Sequence, residues 1–327
     1  MPLRLSIVMC TYNGAEYLQA QLDSLLAQTR LPDEIVISDD ASTDATMMTL
    51  DAFAAIAGKH GVDVRISRHT GNVGFVENFS SALRQATGDV VFLCDQDDVW
   101  CPDKLAVMAA RFAQDPDLLL LHSDARLVDA QGRSLNCSMF EALQMTAQEK
   151  QAIHDGRAFE VVMRRSFVTG ATAAMRREVI GLALPIAADW IHDEWITAVV
   201  SAVGKMDFVD APLIDYRQHG GNQIGARKRT LATKWQDLIL PRGRFLADEA
   251  TRLRRLETFF SQAGFFDGTA RASQVAYKRA HFERRMAIGR LPRYRRAIPI
   301  LREAYAGDYR RYGTGIRSML RDLLRHD

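Results

Sequence analysis

The chain has 327 residues, 47% hydrophobic and 25% charged, enough for one large domain or two modest ones with a core that needs no disulfides. Its four cysteines, Cys10, Cys94, Cys101 and Cys137, show neither CxxC pairing nor zinc spacing and are expected as reduced, mostly buried thiols. No apolar run approaches the ~20 residues of a membrane span. The start Met1-Pro2-Leu3-Arg4 lacks a signal peptide's apolar region and cleavage site, so a cytoplasmic protein is expected. The net charge of +2 conceals a split: residues 1–226 carry 18 Lys plus Arg against 30 Asp plus Glu, and residues 227–327 carry 24 against 10. An acidic body therefore bears a basic tail.

The first ~125 residues alternate short apolar runs with helix-period segments, the pattern of a βαβ sheet. Strands are predicted at Leu5–Cys10, Glu34–Ser38, Asp63–Ser67, Asp89–Cys94 and Leu118–His122. Helices are predicted near Glu16–Gln28, Asp44–Ala57, Phe75–Ala86 and Asp103–Ala113, with Asp44 opening one and Pro102 in the first turn of another. From about 124 to 160 the pattern weakens into an irregular insertion with a hairpin turn at Gln131-Gly132-Arg133. A strand is expected over Phe167–Ala174, then a helix from Trp195 to Val203 and two short strands at Met206–Val209 and Leu213–Tyr216. Beyond Gly225 the chain is arginine-rich and helix-compatible, interrupted at Pro241, Gly264, Pro292 and Gly313.

The most informative stretch is Val90 to Trp100, where Asp95-Gln96-Asp97-Asp98 follows an apolar run that reads as a buried strand. Open α/β sheets bind ligands at the carboxyl ends of their strands. Carboxylates this close repel one another unless a cation compensates, and a hard divalent ion shared with substrate phosphates does so. The plain alternative is an acidic turn in which Asp98 or Asp103 caps the next helix. Two more polar tips, Thr11-Tyr12-Asn13-Gly14 and Ser38-Asp39-Asp40-Ala41-Ser42-Thr43-Asp44, end adjacent strands where a nucleotide would lie. Asp39 can accept the imide N–H of a pyrimidine, while Asx-turns and a helix cap account equally for Asn13, Ser42 and Asp44. No GxGxxG and no P-loop is present.

In Ile191-His192-Asp193-Glu194-Trp195, two acids open a helix. The macrodipole favours them whatever their role; the functional alternative is a general base for an acceptor hydroxyl. In Tyr216-Arg217-Gln218-His219-Gly220-Gly221-Asn222-Gln223, His219 is a metal ligand or a structural histidine, and Arg217 can neutralise phosphate.

Taken in order, these motifs together with Gly71-Asn72-Val73-Gly74 and Gly170 resemble family-2 glycosyltransferases of the GT-A fold, and within them the rhamnosyltransferase-like bacterial branch. The resemblance is collinear over residues 1–225. It implies a Rossmann-like mixed α/β sheet, with nucleotide-sugar binding in about 1–125 and an acceptor part in about 126–225. Residues 226–327 would form a basic, mainly helical extension. It also implies an inverting, metal-dependent hexosyltransferase acting on a nucleoside-diphosphate sugar of dTDP or UDP type, with dTDP-L-rhamnose the leading donor and a surface-polysaccharide or lipid-linked acceptor. Asp39 would hold the base, Asp95 the ribose side, and Asp97 would ligate Mg2+ or Mn2+ with His219 in reach. Asp98 would lie beside the sugar, and Thr11, Tyr12, Asn13, Asp40, Gly74, Asn78 and Arg217 would belong to the donor site. Asp193 would be the base, with Glu194 open as the alternative because it replaces a Trp of the family pattern.

The basic tail has clusters at Arg252–Arg255, Lys278–Arg285 and Arg293–Arg296. Such helices can lie on anionic lipid at the inner face of a cell membrane; a solvated face or an oligomer contact explains them as well. No nucleic-acid recognition motif is present. Two rival functions are a nucleotidyltransferase, whose glycine-rich basic loop after the first strand is missing, and a silent nucleotide-sugar-binding scaffold.

Overall fold

The computed structural model describes residues 2–220, 240–262 and 268–325. Gly221–Gln223 of the predicted glycine turn, and Gly264, lie outside them. The chain divides into two compact units, one of residues 1–158, 167–186 and 191–226, the other of 159–166, 187–190 and 227–327.

The first unit is built on one sheet of nine strands. These are β1 (Leu5–Thr11), β2 (Glu34–Asp39), β3 (Asp63–Arg68), β4 (Val90–Cys94), β5 (Val99–Trp100), β6 (Leu118–Asp129), β7 (Ser134–Ser138), β8 (Ala173–Arg176) and β9 (Lys205–Gln218). The order is β3-β2-β1-β4-β8-β6-β9-β5, with β7 paired to β6. β1 to β4 are mutually parallel where they pair; β8 runs antiparallel to both β4 and β6, which makes the sheet mixed. The strands β1, β2 and β4 are buried along their whole length, as parallel strands covered by helices must be. Covering them are α1 (Leu18–Leu26), α2 (Thr46–Lys59), α3 (Phe75–Gln85) and α4 (Lys104–Gln114), whose Leu18, Leu22, Leu50, Phe53, Leu105, Met108 and Phe112 enter the core. Register sets the site: Thr11 lies opposite Asp39, and Met9 opposite Cys94, so the loops after β1, β2 and β4 leave the sheet side by side.

Several expectations need correction. Residues 124–160 are not irregular: β6 runs on to Asp129, turns at Gln131-Gly132-Arg133 and returns as β7. Two short helices follow, α5 (Met139–Ala142) and α6 (Ala147–His154), each closed by a capping box, Ser138 with Glu141 and Thr146 with Glu149. α7 (Ala158–Val162) comes next. Of the strand expected over Phe167–Ala174 only Ala173 and Ala174 belong to one, at the start of β8; Thr172 Oγ1 donates to the Thr169 carbonyl at 2.7 Å, closing a tight turn ahead of it. α8 (Glu178–Ala183) and α9 (His192–Val203) follow, α9 starting three residues before the predicted Trp195. The two short strands near the end are one, β9. Pro212 lacks an N–H and sits at a register shift opposite Asp124, which breaks the apolar pattern without ending the strand. α2 begins at Thr46 rather than Asp44, whose carboxylate accepts from the Thr46 N–H and hydroxyl. α4 begins at Lys104, two residues after Pro102.

The second unit is helical: α10 (Gly243–Gln262), α11 (Gly268–Gly289), α12 (Arg293–Tyr305), α13 (Asp308–Arg311) and α14 (Ile316–Leu324). Leu246, Ala250, Leu253, Leu256 and Phe260 form the buried stripe of α10 at helical spacing. Much of the predicted basic surface is spent on internal ion pairs. Arg254 and Arg279 bind Glu283, Arg284 bridges Glu303 and Asp308, and Arg285 pairs with buried Asp322. Among the described residues no helix is long and apolar enough to cross a membrane.

At the opposite end of the parallel strands from the acid loops, fully buried Glu34 ties three elements together. Ser6 Oγ (2.5 Å), the Thr87 N–H (2.5 Å) and the Thr87 hydroxyl (2.7 Å) donate to it, and Arg65 pairs with it. Burial alone would raise its pKa, but these hydrogen bonds and the Arg65 charge outweigh it and bring the carboxyl from 4.5 down to about 2. A depressed folded-state pKa contributes stability that is complete above about 4.5 and lost as pH falls toward 2, on the order of 3 kcal/mol. Chemical denaturation should show that loss in the native sequence, and Glu34→Gln should be less stable at neutral pH with a flatter acid limb.

Candidate functional site

The loops after β1 and β2 lace together before they can meet a ligand. Asn13, held at φ 47°, donates its N–H to Ser42 Oγ (2.8 Å) and accepts from the Thr43 N–H (2.8 Å). Buried Asp39 accepts from Thr11 Oγ1 (2.9 Å) and from both the N–H (2.9 Å) and hydroxyl (2.5 Å) of Ser42, with Arg68 at 3.6 Å. A carboxylate has about four acceptor positions, so three hydrogen bonds leave one for a ligand donor. Asp40 is turned the other way and accepts the Val73 N–H (2.6 Å) and Gly74 N–H (2.9 Å). Gly74 has φ 85°, a conformation that favours glycine. Asn78 is buried and spans the gap, donating to the Ser38 carbonyl at 3.0 Å. Asp40, Gly74 and Asn78 thus brace the strand tips, while Tyr12 stands about half exposed.

The acid loop after β4 is the centre of the site. Gln96 clamps the backbone of Tyr12, accepting from its N–H (2.9 Å) and donating to its carbonyl (3.1 Å). β5 follows at once and pairs antiparallel with β9, Val99 against Asp215, which carries Arg217 and His219 back over Asp97 and Asp98. Asp98 is buried; its Oδ1 accepts the Arg217 N–H at 2.9 Å, and its Oδ2 has no hydrogen-bond partner among the described residues. Arg217 Nε donates to the Asp97 carbonyl (2.8 Å), and its guanidinium lies 5.0 Å over the Tyr17 ring. Asp97 Oδ2 and His219 Nε2 stand 2.7 Å apart, and the His219 and Tyr17 rings lie tilted against each other with centroids 4.7 Å apart. Neither Asp98 nor Asp103 caps α4: Asp103 occupies the cap position without a side-chain hydrogen bond.

Asp193 joins this group from α9. Its Oδ2 accepts the Gly170 N–H at 2.9 Å and its Oδ1 the Glu194 N–H at 2.7 Å, which fixes the carboxylate. Gly170 must be glycine, since a Cβ there would lie 2.9 Å from His192 Nε2 and 3.5 Å from Asp193 Oδ2. His192 is buried, stacked on Phe79 at 4.0 Å, and burial lowers its pKa. Trp195 is a core residue whose Nε1 donates to the Ala183 carbonyl.

The carboxylates sense one another. Burial, then the charges of Asp97 and Asp193, push Asp95 up to about 7, against the pull of Lys104. Burial with Asp97 and Asp95 likewise raises Asp98, and burial with the same acids raises the Tyr216 hydroxyl. Three contributors were not legible as site residues: Tyr17, Tyr216 and Lys104. Lys104 is fully buried, donates to the Ala171 carbonyl at 2.7 Å and lies 3.7 Å over the Trp100 ring. Burial lowers it to about 8 although Cys94, Asp98 and Asp95 pull the other way. The signal was a lysine at the first position of a helix, in line with core residues Met108 and Phe112, where the dipole disfavours a cation.

Open α/β sheets bind ligands at the carboxyl ends of their strands, which is where these acids lie. Residues 6–181 match the family Glycosyl transferase family 2. They cover more than half of the chain, and the chain belongs to that family. Among relatives, the uncharacterized glycosyltransferase alr2836 of Nostoc sp. is 28% identical over 224 residues, 67% of this chain and 66% of that protein. Abequosyltransferase RfbV of Salmonella typhimurium is 31% identical over 118 residues, 36% of this chain and 34% of that protein. Uncharacterized protein Rv1520 of Mycobacterium tuberculosis is 28% identical over 218 residues, 66% of this chain and 59% of that protein, so the match spans about three fifths to two thirds of the leading relatives' length. TarS 1–349 of S. aureus, solved in complex with UDP-GlcNAc, is 19% identical with TM-score 0.54, covering 97% of this chain and 90% of that one. Mannosyltransferase PcManGT from Pyrobaculum calidifontis, in complex with GDP-Man and Mn2+, is 19% identical with TM-score 0.50, covering 94% and 76%. At these identities the likeness establishes the fold, GT-A with a C-terminal helical part.

Removing the buried cation leaves Asp95 and Asp98 uncompensated. Lys104→Met should destabilise the protein by roughly 3 kcal/mol at neutral pH. The deficit should shrink as pH falls, because Asp95, whose folded pKa lies above its usual 3.8, then takes up its proton. Urea denaturation at two pH values checks both.

Proposed function

We propose that this protein transfers a sugar from a nucleoside-diphosphate sugar to an acceptor hydroxyl with inversion, using Mg2+ or Mn2+. The observation that carries the reading is the pairing of Asp97 Oδ2 and His219 Nε2 at 2.7 Å, next to an Asp193 carboxylate aimed by the Gly170 N–H. Two adjoining donor atoms of this kind fit a divalent ion that completes its shell with water and substrate phosphate. Among the described residues no third His, Cys, Asp or Glu ligand atom closes around that pair, which matches an open, substrate-completed site. When bound, the ion would offset charge on the departing diphosphate.

The chain's own residues divide the remaining work. Asp39, with one acceptor position left, takes the imide N–H of a uracil or thymine base, and Thr11, Tyr12 and Asn13 frame it. Asp95 meets the ribose side and Asp98 the sugar, while Arg217, whose guanidinium is braced on the Asp97 carbonyl and Tyr17, adds positive potential. Asp193 accepts the proton of the acceptor hydroxyl as that oxygen attacks the anomeric carbon in line with the leaving diphosphate. One displacement inverts the carbon and needs no carboxylate nucleophile. The rhamnosyltransferase-like branch, with dTDP-L-rhamnose as donor and a lipid-linked or polysaccharide acceptor, is the specific form proposed. TarS with UDP-GlcNAc and PcManGT with GDP-Man and Mn2+ support nucleotide-sugar chemistry on this fold.

The test is a donor-turnover assay across dTDP- and UDP-sugars, paired with donor-binding measurements. Asp193→Asn should keep donor binding and lower turnover by about a thousand-fold. Asp97→Ala should lose metal-dependent donor binding itself. Normal turnover in Asp193→Asn together with loss in Glu194→Gln would move the base to Glu194.

A further inference from the structure

Of the three basic clusters in the tail, the first two are largely consumed inside the second unit. Arg255 pairs with Asp189, and Arg279, Arg284 and Arg285 all hold carboxylates. The third is different. Along α12, Tyr294, Ile298, Leu301 and Tyr305 recur at helical spacing and are between 61% and 98% exposed. Their positions fall within one narrow arc of the helix, opposite buried Arg296 and Ile300. Arg295 and Arg302 border that arc, and neither meets a carboxylate among the described residues. The one acid of α12, Glu303, points inward to His281 and Arg284.

α14 repeats the inversion. It buries Ser318, Arg321 and Asp322 and leaves Ile316 and Leu320 exposed. Asp322 is fully buried and takes the Arg285 guanidinium and the Tyr309 hydroxyl at 2.7 Å each. The two helices pack together, and Arg293 donates to the Leu324 carbonyl at 2.9 Å. Helices with polar residues inside and apolar residues outside are poor surfaces in water.

We propose that the outer face of α12, with α14 beside it, docks this unit on an anionic phospholipid surface. The charge pattern selects that occupant. Self-association of this face about a two-fold axis would set unpaired arginines against arginines, whereas phosphate headgroups complement them. Tyrosines near both ends of the stripe suit the boundary between headgroup and acyl chain. Ile298 and Leu301 enter below it. The contact is peripheral and is independent of the sugar-transfer reading.

The test is sedimentation of the full chain with vesicles of phosphatidylcholine alone and of phosphatidylcholine mixed with phosphatidylglycerol. The protein should partition onto the mixed vesicles only, less so at high salt. Ile298→Glu combined with Leu301→Glu should cut that partition by about ten-fold or more with an unchanged thermal transition, because both side chains are already exposed. Met48→Glu, an exposed position of α2, should bind as the native sequence does. No binding to the mixed vesicles, or equal binding by the double variant, would overturn the proposal. So would a dimer in sedimentation equilibrium that the double variant abolishes while vesicle binding persists. Failure here leaves nucleotide binding and turnover untouched, so the two readings fail separately.

Discussion

Four carboxylates, Asp95, Asp97, Asp98 and Asp193, share one partly buried space, and their mutual repulsion is the constraint around which the first unit is arranged. Two like charges 4 Å apart cost about 4 kcal/mol at an effective dielectric of ~20, so the cluster persists only because other elements reach it. Lys104 approaches from α4, the Arg217 N–H and His219 from the end of β9, and the Gly170 N–H from the turn before β8. The mixed part of the sheet has this geometric consequence: it brings β9 alongside β5, which follows directly on the acids. The neutralisation is incomplete. Asp98 Oδ2 is buried without a hydrogen-bond partner among the described residues and the Asp95 carboxyl is pushed up to about 7, and a site with unspent negative charge is one that gains from a cation.

The second unit handles charge in the opposite manner. Its arginines are matched by carboxylates within the helices, down to the fully buried Asp322 with Arg285 and Arg325. Removing one partner of such a pair leaves an uncompensated buried charge, which is strongly destabilising. The arginines left over border an apolar stripe rather than a polar one. A basic composition therefore does not by itself mean a basic surface.

The parallel half of the fold was legible because each of its signals is local: an apolar run, then a polar tip, then a helix. Thr11, Asp39 and Asp95 could be placed at neighbouring strand ends from order alone. What was not legible depended on distant partners. Pro212 made one strand look like two because its cost is absorbed at a shift against Asp124. Phe167 to Thr172 has β-branched content, yet Gly170 must turn to reach Asp193. Lys104 is not marked as a site residue by its own neighbours in sequence, because the charges that hold it lie on another loop. The capping boxes at Ser138 and Thr146 are local signals, set in a stretch whose apolar periodicity is weak.

The most direct measurement is calorimetric titration of the protein with dTDP, UDP, GDP and CMP, each in Mn2+ and in EDTA. Binding of dTDP or UDP that requires Mn2+ is the predicted result, since on the proposed reading Asp39 meets the base of a pyrimidine nucleotide and a cation joins the diphosphate to the acid cluster. Binding of no nucleotide, or binding indifferent to EDTA, would contradict it.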